Sequence, residues 1–131
     1  MARSYTIATL ARIAGVHVET IRYYQRIKLV PEPDRPPGSI RRYTEADAER
    51  LRFIKRAQAM GFTLAEVASL LDLQARGSCR ATRELAAVKL RLIEHRMREL
   101  ASLREELASL VAECDANTQQ TRCPVIQRLA S

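Results

Sequence analysis

The longest helix-forming stretch of the chain covers residues 80–113, which contain neither proline nor glycine and are rich in Leu, Ala, Glu and Arg. Apolar residues recur along it in steps of four and three, with one skip. They are Ala86, Leu90, Ile93, Met97, Leu100, Leu103, Leu107, Leu110 and Cys114. At ~1.5 Å per residue this helix is about 50 Å long, too long to bury its apolar stripe on a small domain. The pattern predicts a dimerisation helix that pairs with the same helix of a second chain.

Two short amphipathic segments lie near the amino terminus. Thr6 is placed to cap the first and Gly15 to end it, and the second covers residues 18–26. Two helices separated by about three residues around a glycine predict a helix-turn-helix. Residues 31–39 are rich in proline, and the run 39–43 that follows predicts a strand of a small β-hairpin, or wing.

Two further helices are predicted between the wing and the long helix. Thr44 with Asp47 forms an imperfect capping box for the first, and Thr63 with Glu66 forms a full one for the second. The residues predicted to face inward are Ala48, Leu51, Ile54 and Ala57 on the first helix and Leu64, Val67, Leu70 and Leu71 on the second. The predicted fold class is therefore all-α with a small β-hairpin wing.

Positive charge is concentrated in the first half of the chain. The 131 residues carry 22 Lys+Arg and 15 Asp+Glu, a net charge of +7. Residues 1–62 hold 12 basic and 6 acidic residues, net +6, whereas residues 63–131 hold 10 and 9, net +1. Nineteen of the basic residues are arginine, whose guanidinium group suits recognition of phosphates. A basic helix-turn-helix of this kind predicts binding to double-stranded DNA.

The candidate DNA contacts lie on the second helix and on the wing. They are Thr20, Arg22, Tyr23, Tyr24, Arg26, Arg41, Arg42 and Tyr43. Guanidinium and hydroxyl groups donate to phosphate oxygens, and a helix fits the width of the major groove. The alternative is a solvated basic face on a helical hairpin, and the clustering of the charge favours DNA.

The three cysteines, Cys79, Cys114 and Cys123, are separated by 35 and 9 positions. Thirty-five residues are five heptads, so Cys79 and Cys114 lie near one stripe of the long helix but about 52 Å apart. They cannot share an ion within one chain. In an antiparallel pair of helices, Cys79 of one subunit would meet Cys114 and Cys123 of the other, which predicts two identical three-thiolate sites per dimer.

Three thiolates without a nearby histidine suit a soft, thiophilic ion. Two alternatives stay open: the cysteines could be small buried apolar residues, or they could form a redox sensor. His17 and His95 complete neither a nucleophile nor a zinc site. No glycine-rich phosphate loop, paired-carboxylate pocket or Ser/His/Asp arrangement is visible in the sequence, so we do not expect an enzyme.

The sequence also lacks an apolar run of the ~18–20 residues that a membrane span requires. Arg12 interrupts the stretch in which a signal peptide would be apolar. We therefore expect a cytoplasmic protein without membrane association. The odd number of cysteines agrees with reduced thiols in that compartment.

Several motifs together resemble the MerR family of transcription regulators. They are VETIRYYQR, GSIRRY followed by TEAD, GFTLAEVASLL, the long helix and a Cys-Pro pair near the end. The positions of the three cysteines resemble the mercury-responsive members more than the copper, zinc or multidrug branches, and lead- and cadmium-responsive relatives use similar positions. The resemblance covers essentially the whole chain.

This resemblance implies a homodimer that binds a palindromic operator and acts with RNA polymerase. It implies repression without metal, and activation of a mercury-resistance promoter by DNA distortion when Hg²⁺ binds Cys79 of one subunit with Cys114 and Cys123 of the other. The implied organisation is a winged helix-turn-helix DNA-binding domain over residues 4–73, a dimerisation helix forming an antiparallel coiled coil over 80–113, and a metal-binding loop and tail over 114–131. A lead, cadmium or zinc sensor, a DNA-binding thiol redox switch and a metal buffer remain alternatives.

Overall fold

The structure, a computed structural model, describes residues 4–35, 37–117 and 122–131. Its elements are β1 (Ser4–Tyr5), α1 (Ile7–Ala14), α2 (Val18–Arg26), β2 (Tyr43–Thr44), α3 (Glu45–Ala59), α4 (Leu64–Arg76), α5 (Cys79–Ala116) and α6 (Pro124–Ala130). The predicted, mostly helical fold is thereby confirmed. Residue 36 of the proline-rich stretch and residues 118–121 of the predicted metal-binding loop lie outside the described residues. The chain divides into two compact units, residues 1–82 and 83–131.

The helices of the first unit begin and end where their capping residues predict. The Thr6 hydroxyl accepts a 3.2 Å hydrogen bond from the Thr9 backbone, and Gly15 ends α1 at φ 69°. The Thr63 hydroxyl accepts from the Glu66 backbone at 3.2 Å, and the Glu66 carboxylate accepts from the Thr63 backbone at 2.9 Å. These bonds satisfy backbone groups that a helix end leaves without intrahelical partners.

The core of the first unit forms where α1 packs against α2 and α3, and α3 against α4. Every inward residue predicted on α3 is buried, as are Val67, Leu70 and Leu71 of α4, whereas Leu64 is half-buried. Leu10, Ile21, Leu51 and Ile54 are completely buried and come from α1, α2 and α3. This core fixes the orientation of α2, which carries most of the candidate DNA contacts.

The two strands form a small antiparallel sheet, with Ser4 opposite Thr44 and Tyr5 opposite Tyr43. The predicted two-stranded element is therefore present, but the partner of β2 is the start of the chain rather than a neighbouring stretch of the wing. Residues 37–39 form a turn and bend, and residues 40–42 are irregular. Proline has no backbone N–H to donate to a ladder, which explains why the described residues of the preceding proline-rich stretch, 31–35 and 37–39, form no strand.

The second unit contains most of α5 and the short helix α6. Helix α5 is 38 residues long, slightly longer than the predicted 80–113. Its apolar stripe is largely exposed: Leu90, Ile93, Met97, Leu100, Leu103 and Leu107 are between 41% and 63% exposed. Among the residues that the structure describes, no helix combines the length and the apolar character needed to cross a membrane.

Candidate nucleic-acid interface and metal centre

One face of α2 presents basic and aromatic side chains to solvent. Arg22, Tyr23 and Arg26 are exposed, and Thr20 is half-buried. The Arg26 guanidinium lies 5.7 Å from the centre of the Tyr23 ring, and Arg22 forms a 2.8 Å ion pair with Glu19. Both contacts orient guanidinium groups on the surface while leaving N–H donors available to another acceptor.

A cavity of about 640 Å³, here called the basic groove, lies beside this face of α2. Its charged lining residues in the described part of the chain are Arg22, Arg26, Lys28, Arg35, Arg41 and Glu32. Five of these six residues are cationic, and the acidic residue, Glu32, forms a 3.1 Å ion pair with Arg41. Arg42, also predicted as a contact, is exposed on the same segment. The groove is an electropositive recess of the kind that attracts phosphate groups.

Two hydrogen bonds to backbone oxygens shape the segment that closes the groove. Arg35 Nε donates to the Ser39 carbonyl at 2.8 Å, and Arg41 Nε donates to the Pro33 carbonyl at 3.1 Å. They hold residues 33–35 and 39–41 in place, although these described residues belong to no helix or strand. Arg41, predicted as a DNA contact, therefore also supports the loop that carries it.

Tyr24 and Tyr43, both predicted as DNA contacts, are largely buried, although Tyr43 also lines the basic groove. Tyr24 is 6% exposed and Tyr43 is 2% exposed. The Tyr24 hydroxyl donates to Gln58 Oε1 at 2.8 Å, and the Tyr43 hydroxyl accepts from Gln25 Nε2 at 2.8 Å. Burial, and to a smaller extent the neighbouring Tyr23, raises the pKa of Tyr24. Both rings belong to the core of the first unit.

Lys28 and Arg35 line the groove but were not predicted as site residues. Each lies close to the proline-rich stretch, where the sequence offers no helical or strand periodicity from which to assign a face. The only available signal was their positive charge beside the second helix.

The second candidate site is a pair of thiols. Cys114 Sγ, near the end of α5, lies 3.8 Å from Cys123 Sγ, directly before α6. Backbone N–H groups of Ile126 and Val125 lower the pKa of Cys123, and hydrogen bonding from Cys114 adds to this effect. A hydrogen bond from Val125 also acts to lower the pKa of Cys114, but desolvation, Cys123 and Asp115 together raise it above its usual value. The pair therefore favours a Cys123 thiolate beside a protonated Cys114.

The third cysteine begins α5. Cys79 is exposed and borders an apolar cleft of about 330 Å³ whose lining includes Phe53, Leu70 and Leu73. Cys114 follows 35 positions later in the same helix, which corresponds to about 52 Å at ~1.5 Å per residue. In the described part of the chain, no three His, Cys, Asp or Glu residues lie close enough together to hold one ion. One chain thus presents a thiol pair and, separately, a single thiol.

A basic helix-turn-helix joined to a long helix with an exposed apolar stripe defines a DNA-binding regulator. Comparison with known proteins gives the particular family. Residues 5–74 match the model of the MerR HTH family regulatory proteins, and residues 48–110 match that of the MerR DNA-binding region. The chain belongs to the MerR family.

Relatives with similar sequences and structures were found over nearly the whole chain. The mercuric resistance operon regulatory protein of Serratia marcescens is 48% identical, over 95% of this chain and 86% of its own. The regulator PbrR691 of Ralstonia metallidurans CH34, solved with lead(II), is 35% identical with a TM-score of 0.80, over 95% of this chain and 98% of its own. The regulator MerR of Bacillus megaterium MB1, solved with mercury(II), is 33% identical with a TM-score of 0.76, over 97% of this chain and 100% of its own.

Proposed function

We propose that this protein is a mercury(II)-responsive transcriptional regulator. Without metal it represses a mercury-resistance promoter in the cytoplasm, and with Hg²⁺ bound it activates that promoter by distorting the DNA. The observation that carries the proposal is the Cys114–Cys123 thiol pair, 3.8 Å apart, on a chain that also holds a basic helix-turn-helix. The identity of 48% to a mercuric resistance operon regulatory protein supports the choice of metal.

The regulator functions as a homodimer whose α5 helices form an antiparallel coiled coil. The support is the exposed apolar surface of α5, on which many large apolar side chains are more than half exposed. They include Val88, Leu90, Leu92, Met97, Leu100 and Leu103. An isolated helix of this kind gains most of its stability from packing. The same helix of a second copy offers a stripe of matching length, and two-fold symmetry is the commonest form of such pairing.

Each metal site takes Cys114 and Cys123 of one subunit together with Cys79 of the partner subunit. The donor set fits the ion, because three thiolates suit a soft metal. Two of the thiols are already adjacent in one chain, and Cys79 is exposed and accessible to another subunit. When bound, Hg²⁺ supplies a covalent-like link between the carboxyl-terminal end of one α5 and the start of the other. The chain's own contribution is the pre-formed thiol pair, which reduces the ordering needed on binding.

The DNA contacts that we propose come from the exposed part of the predicted set. These residues are Thr20, Arg22, Tyr23, Arg26, Arg41 and Arg42. Tyr24 and Tyr43 act indirectly, because their buried rings hold α2 and the segment around β2 in position. The groove therefore binds phosphates through guanidinium and hydroxyl donors on a rigid support.

Metal binding and DNA distortion are coupled through the conformation of the dimer. A ligand shifts a conformational equilibrium only by its differential affinity for the two states. A thiolate clamp at both ends of the coiled coil provides that difference, and DNA shape is an energy term that a protein can alter without new base contacts. The altered promoter is then read by RNA polymerase, which we propose as the further partner.

Two alternatives have specific support. A lead-responsive regulator is favoured by the likeness to a relative solved with lead(II) at a TM-score of 0.80. A DNA-binding thiol redox switch is favoured by the 3.8 Å separation of Cys114 and Cys123, because oxidation could join these thiols without metal.

The proposal is tested by competitive titration of the reduced protein with Hg²⁺, Pb²⁺, Cd²⁺ and Zn²⁺ in the presence of excess small thiol. Thiolate-to-metal charge-transfer absorption reports binding. We expect Hg²⁺ to be retained preferentially, with three thiolates consumed per site. Preferential retention of Pb²⁺ would instead support a lead-responsive regulator. Loss of every metal to the small thiol would support the thiol redox switch.

The shared site is tested with mixed dimers of Cys79→Ser and Cys114→Ser subunits. In a heterodimer, one of the two proposed sites loses Cys79 and Cys114 together, whereas the other keeps all three thiols. We expect each homodimer of variants to lose tight binding and the heterodimer to recover one ion. A heterodimer that binds no better than either homodimer would exclude the cross-subunit arrangement.

A further inference from the structure

Helix α2 ends in a tight turn that places a lysine where the backbone favours glycine. Lys28 has φ 64° and is the only residue other than glycine with positive φ in the described part of the chain. The Lys28 N–H donates to the Gln25 carbonyl at 3.1 Å, and the Leu29 N–H donates to the Tyr24 carbonyl at 2.8 Å. This is the bonding pattern of a Schellman motif, in which the left-handed position is usually glycine.

The other helix ends of this protein provide an internal comparison. Gly15 follows α1 at φ 69° and Gly77 follows α4 at φ 70°, almost the same value as Lys28. A side chain in this conformation places Cβ close to the following carbonyl oxygen, which destabilises the fold. Gly61 follows α3 at φ 93° with the same pattern of backbone hydrogen bonds. The chain therefore uses glycine at three equivalent turns and accepts an unfavourable residue at the fourth. Such backbone strain concentrates at functional sites.

The position of Lys28 indicates what the side chain does there. It is exposed and lines the basic groove, and it also lines the adjoining cavity of about 630 Å³ that includes Arg35, Arg41 and Arg50. Both recesses contain Glu32, and the second also contains Asp34, but Glu32 already pairs with Arg41 at 3.1 Å. Lys28 thus adds a flexible ammonium group at the junction of two largely cationic recesses.

The alternative is a purely structural role for the lysine. A cation near a helix carboxyl terminus interacts favourably with the helix dipole. That interaction would stabilise α2 in the absence of DNA and would leave the binding of DNA unchanged. The two roles therefore differ in their effect on the salt dependence of DNA binding.

We propose that Lys28 is an additional phosphate-binding residue of the DNA interface, kept in a strained backbone conformation so that its ammonium reaches the DNA backbone beside the basic groove. This inference rests on the proposed DNA-binding function. It assigns to Lys28 a contribution to DNA affinity that is independent of base sequence, since an ammonium group interacts with the charge of the phosphates.

The test compares the full-length protein with its Lys28→Gly and Lys28→Arg variants, using a 30-base-pair duplex of random sequence as the probe. Dissociation constants are measured between 0.05 and 0.3 M salt, and thermal unfolding is followed without DNA. Glycine removes both the strain and the charge, whereas arginine keeps both. The control is Arg76→Ala, which removes one positive charge from an ion pair on the surface of α4.

For Lys28→Gly we expect the unfolding midpoint to rise by about 3 °C because the strain is relieved. The slope of the logarithm of affinity against the logarithm of salt concentration should become shallower by about 0.9 for each phosphate that the variant no longer neutralises. If the two affinities extrapolate to the same value at 1 M salt, this change makes binding at 0.1 M salt roughly eightfold weaker per phosphate. Lys28→Arg should keep both the slope and the affinity of the unmodified protein. A more stable but more weakly binding glycine variant is a result that a structural role does not produce.

The inference is overturned when Lys28→Gly binds the duplex with the same affinity and slope as the unmodified protein, or when Arg76→Ala loses as much as Lys28→Gly does. A different result tests the proposed function itself: an unmodified protein that shows no salt-dependent binding to the duplex overturns the DNA-binding role and the Lys28 inference together.

Discussion

Gln25 Nε2 donates a 2.8 Å hydrogen bond to the hydroxyl of Tyr43, and both side chains are buried. Gln25 lies on α2 and Tyr43 on β2, directly before α3. The bond therefore ties the helix that carries the candidate DNA contacts to the end of the segment that closes the basic groove. A buried polar pair is stable only while both partners remain, since removal of one leaves the other without compensation for its desolvation.

We expect Tyr43→Phe to lower the free energy of unfolding by roughly 1–3 kcal/mol, because the Gln25 amide would lose its acceptor in the core. Chemical denaturation measures this change. The salt dependence of DNA binding should stay the same, since the Tyr43 side chain is buried, carries no positive charge and is hydrogen-bonded to Gln25. The double variant Gln25→Leu/Tyr43→Phe is the control and should recover part of the lost stability. An unchanged stability with a shallower salt slope would instead make Tyr43 a direct contact.

Arg22→Ala should weaken duplex binding and reduce its salt slope by about 0.9 for each phosphate left without a cation, because we propose that its exposed guanidinium, which lines the groove, donates to phosphate. Titrations at several salt concentrations measure the slope. Arg76→Ala is the matched control, since Arg76 also forms an exposed ion pair within its own helix, with Asp72 at 3.1 Å. Equal slopes for the two variants would mean that only net charge matters.

Alkylation should modify Cys123 before Cys114 in the metal-free, reduced protein. The pKa of Cys123 is lowered by backbone N–H groups of Ile126 and Val125, whereas that of Cys114 is raised overall. Between these two pKa values Cys123 is a thiolate and Cys114 is protonated, and only the thiolate reacts. Iodoacetamide labelling across pH, followed by mass spectrometry in a Cys79→Ser background, measures both midpoints.

The alkylation experiment has an internal control. Replacing Cys114 by alanine removes a hydrogen bond that lowers the pKa of Cys123, so the Cys123 midpoint should move to higher pH. A midpoint that stays in place, or faster labelling of Cys114 than of Cys123, would contradict a proton held by Cys114 beside a Cys123 thiolate.

An ion pair attaches α6 to α5: Arg128 Nη2 lies 2.9 Å from Glu106 Oε1. It helps to hold Cys123, at the start of α6, beside Cys114. Arg128→Ala should therefore weaken retention of Hg²⁺ against competing thiol, but by no more than about fivefold, because exposed ion pairs contribute only ~0–1 kcal/mol. Competition titration measures the loss.

The charge-swapped double variant Glu106→Arg/Arg128→Glu should restore metal retention toward that of the unmodified protein. Arg96→Ala is the matched control, since Arg96 forms an exposed ion pair with Glu99 at 3.9 Å near the middle of α5, away from both ends at which the proposed metal sites form. If the swapped variant retains metal no better than Arg128→Ala, the pair does not position Cys123.

The features that could be read from the sequence are those set by local chemistry. The hydroxyl of Thr63 three positions before Glu66 and the glycine at position 15 are short-range signals, and both helix boundaries were predicted correctly. The apolar spacing of α5 likewise follows from the helical repeat alone. Family membership was also recognisable, because its motifs are contiguous in the chain. The cross-subunit arrangement of cysteines remains a prediction.

Tertiary structure decided which polar residues are available. Tyr23 and Tyr24 are adjacent in sequence and alike in chemistry, but packing buries one and exposes the other. Tyr43 was predicted as a DNA contact on the wing with Arg41 and Arg42, but it pairs with Tyr5, bonds to Gln25 and is buried in the core. Lys28 enters the groove only through a left-handed turn.

The helices, their caps and the chemistry of the cysteines follow from local sequence, because each depends on residues a few positions apart. Which residues line the groove, and the 3.8 Å approach of Cys114 to Cys123, follow from the packing of separate segments of the chain and could not be read from local sequence.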